Sequence, residues 1–135
     1  MVQHEDRAAE AVRAGYLVEV AGGEVSHQSA DGEKPSRFLV ATDNRDVGME
    51  LGDEYVEGDD ACQYLACSGG GVHLYLAGGE SVASGDALLS AGDGTVRAAD
   101  TGGETPDDPA AAVAFAAEAL DADDEPAAIS TEVAH

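Results

Sequence analysis

The chain of 135 residues carries 28 Asp and Glu against 6 Lys and Arg, and its formal net charge of -22 excludes nucleic acid as a partner, because so acidic a surface repels phosphates at ordinary salt. The length allows one domain with a modest core. Large apolar side chains are few, with no Trp, two Phe, four Tyr and two Met, so we expect a thin core of Val, Leu and Ala that oligomerisation supplements.

The first predicted unit is the polar segment 1–14. Its apolar residues have only weak helical spacing, so a short helix and an extended arm both fit the pattern. The segment holds two of the six cations, Arg7 and Arg13, which makes it a candidate contact to an acidic neighbour, and a frayed terminus explains it equally well. We therefore expect an N-terminal arm at 1–14 and a single β-rich domain at 15–135.

The chain up to residue 71 alternates short apolar runs with Gly-rich turns. Such spacing predicts a compact β-structure with little helix. Residues 29–36 are loop by composition, and residues 43–60 are acidic and irregular. The predicted strands are 15–20, 24–28, 37–42 and 61–67.

The clearest strand pattern follows these elements. Val72, Leu74 and Leu76 alternate with more polar residues, which places the three aliphatic side chains on one face of a strand. The run Gly-Asp-Gly at 92–94 predicts a tight hairpin turn, because Asp and Gly tolerate positive φ. No internal repeat of fixed period is visible along the chain.

The C-terminal third begins with a strong local helix signal. Asp108 is a good N-cap, Pro109 suits the first helical position, and the residues that follow are rich in Ala. Intrinsic propensity therefore favours a helix over 109–120.

The end of the chain favours a strand in the same place. Residues 128–133 alternate, are rich in β-formers and need a partner strand, so we expect a strand at about 112–119 paired with about 127–134. Phe115 then lies on the face that packs in the core. We expect its burial to contribute about 2–3 kcal/mol, so that Phe115→Ala is among the most damaging substitutions.

No arrangement typical of catalysis, cofactor binding or metal binding occurs in the sequence, which lacks the common nucleophile, phosphate-loop, zinc and dinucleotide motifs. Cys62 and Cys67 fall on opposite faces of a predicted strand and are best explained as small buried residues. The acidic run at 121–125 is best explained as a solvated hairpin tip. We expect no enzymatic activity, no cofactor and no metal.

Acidic residues are spread along the whole chain rather than gathered in a tail. At molar salt the Debye length is only ~3 Å, so their mutual repulsion is largely screened. We therefore expect a halophilic protein that works in concentrated salt. No signal-peptide pattern and no apolar run near the ~18 residues of a membrane span is visible, and we expect no membrane partner.

The run 80–88, E-S-V-A-S-G-D-A-L, resembles a turn of biotinyl and lipoyl carrier domains. Those domains need a Lys at an exposed hairpin tip to carry the cofactor. The only Lys of this chain, Lys34, lies in an unrelated loop, and the corresponding hairpin at 92–94 has none. The carrier function is therefore not expected.

Residues 78–97, 113–121 and 126–133 resemble the small head-decoration proteins of tailed viruses, especially viruses that infect haloarchaea. The resemblance covers roughly residues 72–134. It implies a mainly β fold, namely a small β-barrel or β-tulip-like domain with turn-rich connections. It implies no catalytic residues.

The same resemblance implies a role similar to that of the lambda head-decoration protein. Such proteins bind as homotrimers to the outside of an HK97-type lattice and clamp neighbouring subunits of the major capsid protein. The implied location is the capsid surface of the virion, after assembly in the host cytoplasm. Candidate residues for the core or the trimer seam are Val72, Leu74, Leu76 and Phe115, and those for a capsid contact are Arg7 and Arg13.

A second class of function stays open at the level of the sequence. The chain is also compatible with a soluble cellular β-barrel module of a halophile, of carrier-like or small-ligand-binding type. Whether the chain is present in purified virus particles distinguishes the two classes of function.

Overall fold

The computed structural model describes residues 2–33, 35, 38–42, 53–58, 60–65, 71–100 and 106–134. Over these residues the chain is β-structure with one 3₁₀ turn and no α-helix, so the expected mainly β fold class is confirmed. The strands are β1 (Val2–Ala8), β2 (Val12–Arg13), β3 (Leu17–Ala21), β4 (Glu24–His27), β5 (Leu39–Ala41), β6 (Glu54–Tyr55), β7 (Asp60–Leu65), β8 (Gly71–Leu76), β9 (Ser81–Val82), β10 (Ala87–Ser90), β11 (Val96–Ala98), β12 (Ala114–Ala116), β13 (Leu120–Asp121) and β14 (Ala127–Val133).

Ten of these strands form two closed five-stranded barrels that follow one another along the chain. Barrel 1 has the cyclic order β1-β4-β3-β5-β7, and barrel 2 has the order β8-β11-β10-β12-β14. Short strands joined by Gly-rich turns produce such barrels because closure leaves no unpaired sheet edge. The four strands predicted before residue 71 correspond to β3, β4, β5 and β7.

The two barrels share one topology. In each, the first strand runs parallel to the third barrel strand, and the other four pairs are antiparallel. Each barrel also carries a separate two-stranded antiparallel sheet, β2 with β6 in barrel 1 and β13 with β9 in barrel 2. In both cases these strands come from the connection after the first barrel strand and the connection before the last. The fold is therefore a structural repeat.

The repeat extends to individual hydrogen bonds. The N–H of Gly15 donates to the carbonyl oxygen of Ala41 at 2.8 Å, and the N–H of Gly85 donates to that of Ala116 at 2.7 Å. Both glycines have positive φ, 96° and 93°. The connections between equivalent strands differ in length, which is why no fixed period is visible in the sequence.

Each barrel encloses its own apolar cluster. In barrel 2, Val72, Leu74 and Leu76 are buried, as their alternation predicts, and they pack with the inward residues of the other four strands. Among the described side chains, the cluster of barrel 1 contains Ala8, Val12, Val18, Val25, Leu39, Ala41 and Tyr55.

The C-terminal third contains the expected strand pair. Residues 114–116 form β12, which pairs antiparallel with the end of β14, so that Ala114 faces Val133. The helix signal yields only the 3₁₀ turn Pro109–Ala111. The strand is shorter than the expected 112–119, because the chain bends after residue 116 and then pairs β13 with β9.

The expectation that Phe115 packs in the core is wrong. Its neighbours Ala114 and Ala116 point into barrel 2, so alternation places Phe115 on the outer face, where it is 40% exposed. Val113, which was expected to share a face with Phe115, is buried. It precedes β12, so the alternation of side chains along β12 begins at Ala114 and does not extend back to Val113.

At the N-terminus, residues 2–8 form β1, which pairs with β4 and β7, so this segment is a strand rather than the short helix considered above. The division of the chain into an arm at 1–14 and one domain at 15–135 stays a prediction. Lys34, residues 43–52 and Cys67 lie outside the described residues.

Candidate interaction surface

The two barrels meet through an apolar patch on the outside of barrel 1. Leu17 on β3 and Val40 on β5 are cross-strand neighbours, and both are buried in the apolar cluster that fills barrel 2. The adjacent residues Val18 and Leu39 belong to the core of barrel 1. Because side chains alternate between the faces of a strand, β3 and β5 serve the core of barrel 1 with one face and the contact to barrel 2 with the other. We call Leu17 and Val40 the junction face.

A tight turn of barrel 2 lies against this junction face. The carbonyl oxygen of Gly94 accepts a hydrogen bond from the N–H of Leu17 at 2.7 Å. The φ of Gly94 is +90°, and a Cβ at this position would lie 2.8 Å from Cδ2 of Tyr16 and 3.2 Å from Cβ of His27. Only glycine fits here, because both the backbone conformation and the close approach of barrel 1 exclude a side chain.

Aromatic contacts surround the turn. The ring centroid of Tyr16, which is nearly fully buried, lies 5.1 Å from that of His27 and 5.2 Å from that of Tyr75 in barrel 2. Cζ of Arg13 lies 5.5 Å from the Tyr16 centroid, within the range of a cation–π contact. Burial raises the pKa of the Tyr16 hydroxyl above its usual value, because the charged phenolate is disfavoured away from water.

His27 is held in its neutral form at the edge of the junction. Its Nε2 accepts a hydrogen bond from the backbone N–H of Arg13 at 3.2 Å, which requires that this nitrogen carries no proton. Burial lowers the pKa of His27, and the carboxylate of Glu10 acts in the opposite direction. Oε2 of Glu10 accepts the backbone N–H of His27 at 3.1 Å.

An ionic contact joins the segment after β4 to barrel 2. Arg97 on β11 donates to both carboxylate oxygens of Asp107, at 2.7 and 3.1 Å, and to Oδ1 of Asp31 at 3.1 Å. The Arg97 guanidinium and the backbone N–H of Asp100 lower the pKa of Asp107 to about 2. Asp31 also forms an isolated β-bridge with Ala91. The bidentate pair with Asp107 fixes the orientation of Arg97 within barrel 2, and the single hydrogen bond to Asp31 connects it to the segment after β4.

The corresponding outer face of barrel 2 is exposed. Ala87 on β10 pairs with Phe115 on β12, where β3 and β5 of barrel 1 pair Leu17 with Val40. Among the described residues, Phe115 is one of two large apolar side chains that are exposed, and the other is Val56. We call Ala87 and Phe115 the Phe115 face.

The structure separates the residues that the sequence grouped as core or seam. Val72, Leu74 and Leu76 fill barrel 2, and Phe115 is the member of the set that reaches the surface.

The two cations predicted as a capsid contact also differ in their surroundings. The guanidinium of Arg13 lies at the junction, where it donates to Oε1 of Glu54 at 3.3 Å. Arg7 is exposed on β1. Their role in a capsid contact stays a prediction.

The sequence contained one signal for the junction that the strand patterns did not reveal. The pattern E-x-V-x-x-G occurs at residues 10–15 and again at 80–85. The Glu of this pattern accepts a backbone hydrogen bond in both barrels. Oε1 of Glu80 accepts the N–H of Ala98 at 3.1 Å, and Oε2 of Glu10 accepts the N–H of His27. A comparison of these two stretches finds the repeat and, through it, the junction residues.

The geometry of these surfaces suits contact between proteins. Among the described residues, no group of three or more His, Cys, Asp or Glu side chains could hold a metal ion. Within the same part of the chain, the search for an apolar helix long enough to cross a membrane finds none. The junction face and the Gly94 turn form an apolar, closely packed contact within the chain, and the Phe115 face leaves a large apolar side chain exposed.

Neither a protein-family model nor a curated protein matches the sequence. A solved structure does match: the head fiber gp8.5 N base in bacteriophage phi29 superimposes with a TM-score of 0.64. The match covers 98% of this chain and 93% of that chain, at 20% sequence identity. At this level of identity the similarity concerns the fold, and it extends over both barrels.

Proposed function

We propose that the chain is a structural protein of a virus particle that is attached to the head of a tailed virus of a halophile. The observation that supports this most strongly is the fold similarity to the phi29 head fiber base, which covers nearly all of both chains. A single small barrel is a common element of many unrelated proteins. Similarity over two consecutive barrels is a more specific observation, and it agrees in function class with the resemblance of residues 72–134 to head-decoration proteins.

The finer role follows from that resemblance. The chain binds the outside of an HK97-type lattice as a homotrimer, contacts the major capsid protein and stabilises the head in concentrated salt. In this role it needs no cofactor and performs no catalysis, because its function is to bury surface between subunits.

The charge of the chain is consistent with such a role in concentrated salt. With a net charge of -22, copies repel each other and any acidic capsid at low salt. In molar salt the repulsion is screened within ~3 Å, and apolar surface provides the attraction. The exposed Phe115 face supplies apolar surface of this kind.

The test is to purify virus particles in molar NaCl from a culture that expresses the chain, and to quantify it against the major capsid protein by mass spectrometry. We expect a constant ratio across the particle peak, and density for the two barrels on the outside of the head in electron cryomicroscopy. A chain found only in the soluble cell fraction would contradict the proposal and favour the cellular module.

A further inference from the structure

The junction joins two different surfaces, and the repeat places a copy of each on both barrels. The first surface is the junction face. The N–H of Ala41 donates to the carbonyl oxygen of Tyr16 at 3.0 Å, and the N–H of Ala116 donates to that of Asp86 at 2.9 Å. These equivalent hydrogen bonds fix the register, so Leu17 corresponds to Ala87 and Val40 to Phe115. Barrel 2 therefore has an uncovered counterpart of the junction face.

The second surface is the glycine turn between the second and third strands of each barrel. In barrel 2 this is the turn with Gly94, which packs against barrel 1. In barrel 1 it is the turn of Gly22 and Gly23, with φ of +61° and +79°, where an added Cβ meets nothing within 4 Å. The same turn is thus covered in barrel 2 and uncovered in barrel 1.

Charged residues replace the aromatic pair at the two uncovered surfaces. Within the chain, Tyr16 of barrel 1 contacts Tyr75 of barrel 2. The residue that corresponds to Tyr16 is Asp86, which lies beside the Phe115 face. The residue that corresponds to Tyr75 is Arg7, because Ala8 pairs with Val25 in β4 as Leu76 pairs with Val96 in β11. Asp86 and Arg7 are both exposed and have opposite charges.

We propose that the Phe115 face binds the Gly22–Gly23 turn of a second copy of the chain, in the way that the junction face binds the Gly94 turn within the chain. In this contact Phe115 and Ala87 cover the glycine turn, and Asp86 pairs with Arg7 of the second copy. The contact assigns Arg7 to the interface between copies rather than to the capsid. The inference rests on the self-association part of the proposed function and is independent of the virus head.

Such a contact is heterologous, because it joins two different surfaces. Repetition of a heterologous contact gives a closed ring if the rotation closes and a filament if it does not. A ring of three chains contains six barrels. Equivalent contacts join neighbouring barrels around the ring, and they alternate between a contact within one chain and a contact between two chains. This is the arrangement we expect for the homotrimer.

The experiment uses one variant for each uncovered surface and a matched control for each. Phe115→Glu places a charge on the Phe115 face, and Val56→Glu places it on the other exposed large apolar residue. Gly23→Asn adds a side chain to the turn, since Asn tolerates positive φ. Gly58→Asn adds the same side chain at another open glycine, whose φ is +91°.

Molar mass is measured by sedimentation velocity in 2 M KCl. We expect assemblies of the 13.6 kDa chain for the wild type and both controls, with the trimer as the closed form, and monomers for Phe115→Glu and Gly23→Asn. The decisive sample is an equimolar mixture of the two monomeric variants. Each retains the surface that the other lacks, so the mixture should form a dimer and nothing larger.

Three results would overturn the inference: a monomeric wild type at all concentrations, wild-type assembly of either interface variant, or a mixture that remains monomeric. A contact of the Phe115 face with itself would give the second result, because the Gly23→Asn variant would then assemble alone. Circular dichroism and the unfolding midpoint of each variant, compared with its control, establish that the monomers are folded. Presence of the chain in virus particles is measured separately, so failure of the contact and failure of the virion role are distinguishable.

Discussion

The same outer face has opposite environments in the two barrels. In barrel 1 it consists of Leu17 and Val40, which are 1% exposed because barrel 2 covers them. In barrel 2 the equivalent positions hold Ala87 and Phe115, and Phe115 is 40% exposed. The fold around both faces is the same, so the difference lies in what covers them. A duplicated barrel that packs on itself through one pair of surfaces necessarily leaves a second, similar pair unfilled.

The residues at the two faces differ in a way that suits their environments. The covered face has two aliphatic residues that merge with a permanent core, as expected for surfaces that never separate. The uncovered face has one aromatic residue flanked by a small one and by the acidic Asp86. Contacts between separable proteins commonly depend on a few aromatic anchors within a polar surround. The comparison therefore sets a permanent contact beside the reversible contact that we propose.

Salt is expected to have the largest effect on this comparison, because it acts on both barrels and on the contact between copies. With a net charge of -22, the unfolding temperature should rise steeply from 0.1 M to 2 M KCl as the Debye length falls from ~10 Å to below 3 Å. As the salt concentration is lowered, the copies should dissociate first. The barrels should unfold only at a lower salt concentration, because the covalent chain keeps them together. Scanning calorimetry and sedimentation over the same salt series measure the two transitions, and a flat unfolding temperature would refute the screening explanation.

Substitution of the glycine at the junction should have the next largest effect. Gly94→Ala forces a Cβ to within 2.8 Å of the Tyr16 ring, and overpacking of this kind costs about 1–3 kcal/mol beyond the strain of positive φ. Gly85→Ala is the matched control, because Gly85 has φ +93° and nothing within 4 Å of the added Cβ. Urea unfolding of both variants isolates the clash as the difference between them. Equal losses of stability would show that the barrels do not pack closely at this turn.

Truncation of the equivalent apolar residues should separate the covered face from the exposed one. Leu17→Ala leaves a cavity in the junction and should lower the free energy of unfolding by about 2–5 kcal/mol. Phe115→Ala should change the stability of a dilute monomer by less than about 1 kcal/mol, because Phe115 lies outside the core and is already 40% exposed. At concentrations where copies assemble, the same substitution should weaken the assembly. A large loss for Phe115→Ala in the monomer would restore the sequence-based expectation that Phe115 belongs to the core.

The sequence predicted what depends on local patterns. Alternation at Val72, Leu74 and Leu76 predicted an inward face, and the Gly-Asp-Gly run at 92–94 predicted the turn between β10 and β11. The orientation of Phe115 was not predictable in this way. It depends on where β12 begins, and alternation changes face when a strand starts one residue later.

The junction was also outside the reach of local patterns. Leu17 and Val40 lie in the predicted strands 15–20 and 37–42, and both are buried, but the core they join belongs to the other barrel. Strand patterns show that a residue is apolar and which neighbours share its face, and they contain no information on what lies across that face. The two copies of E-x-V-x-x-G, beginning at Glu10 and Glu80, were the available sequence signal for the duplication.

The smallest expected effect is a dependence of junction stability on pH through His27. Its folded-state pKa is lowered from 6.5, chiefly because burial disfavours the charged form, while the unfolded chain titrates at the ordinary value. Below pH 6.5 the unfolded state therefore binds more protons, and the stability that is fully present above this pH is lost progressively as the pH falls through the lowered folded-state pKa. Protonation would also place a cation beside Arg13 and remove the acceptor for its N–H, although Glu10, Glu54 and Asp93 nearby moderate the cost.

The test compares His27→Gln, which keeps an acceptor without a titrating ring, with His73→Gln on the exposed face of β8. Between pH 7 and 5, wild type and His73→Gln should lose the same small amount of unfolding free energy, and His27→Gln should lose less. An identical pH profile for all three proteins would show that the His27 ring does not titrate differently in the folded junction and the unfolded chain. The barrel 2 position that corresponds to His27 holds Ala98, which does not titrate. A pH effect that depends on His27 would therefore show that the two equivalent faces differ in their response to acid. The covered face would then loosen first.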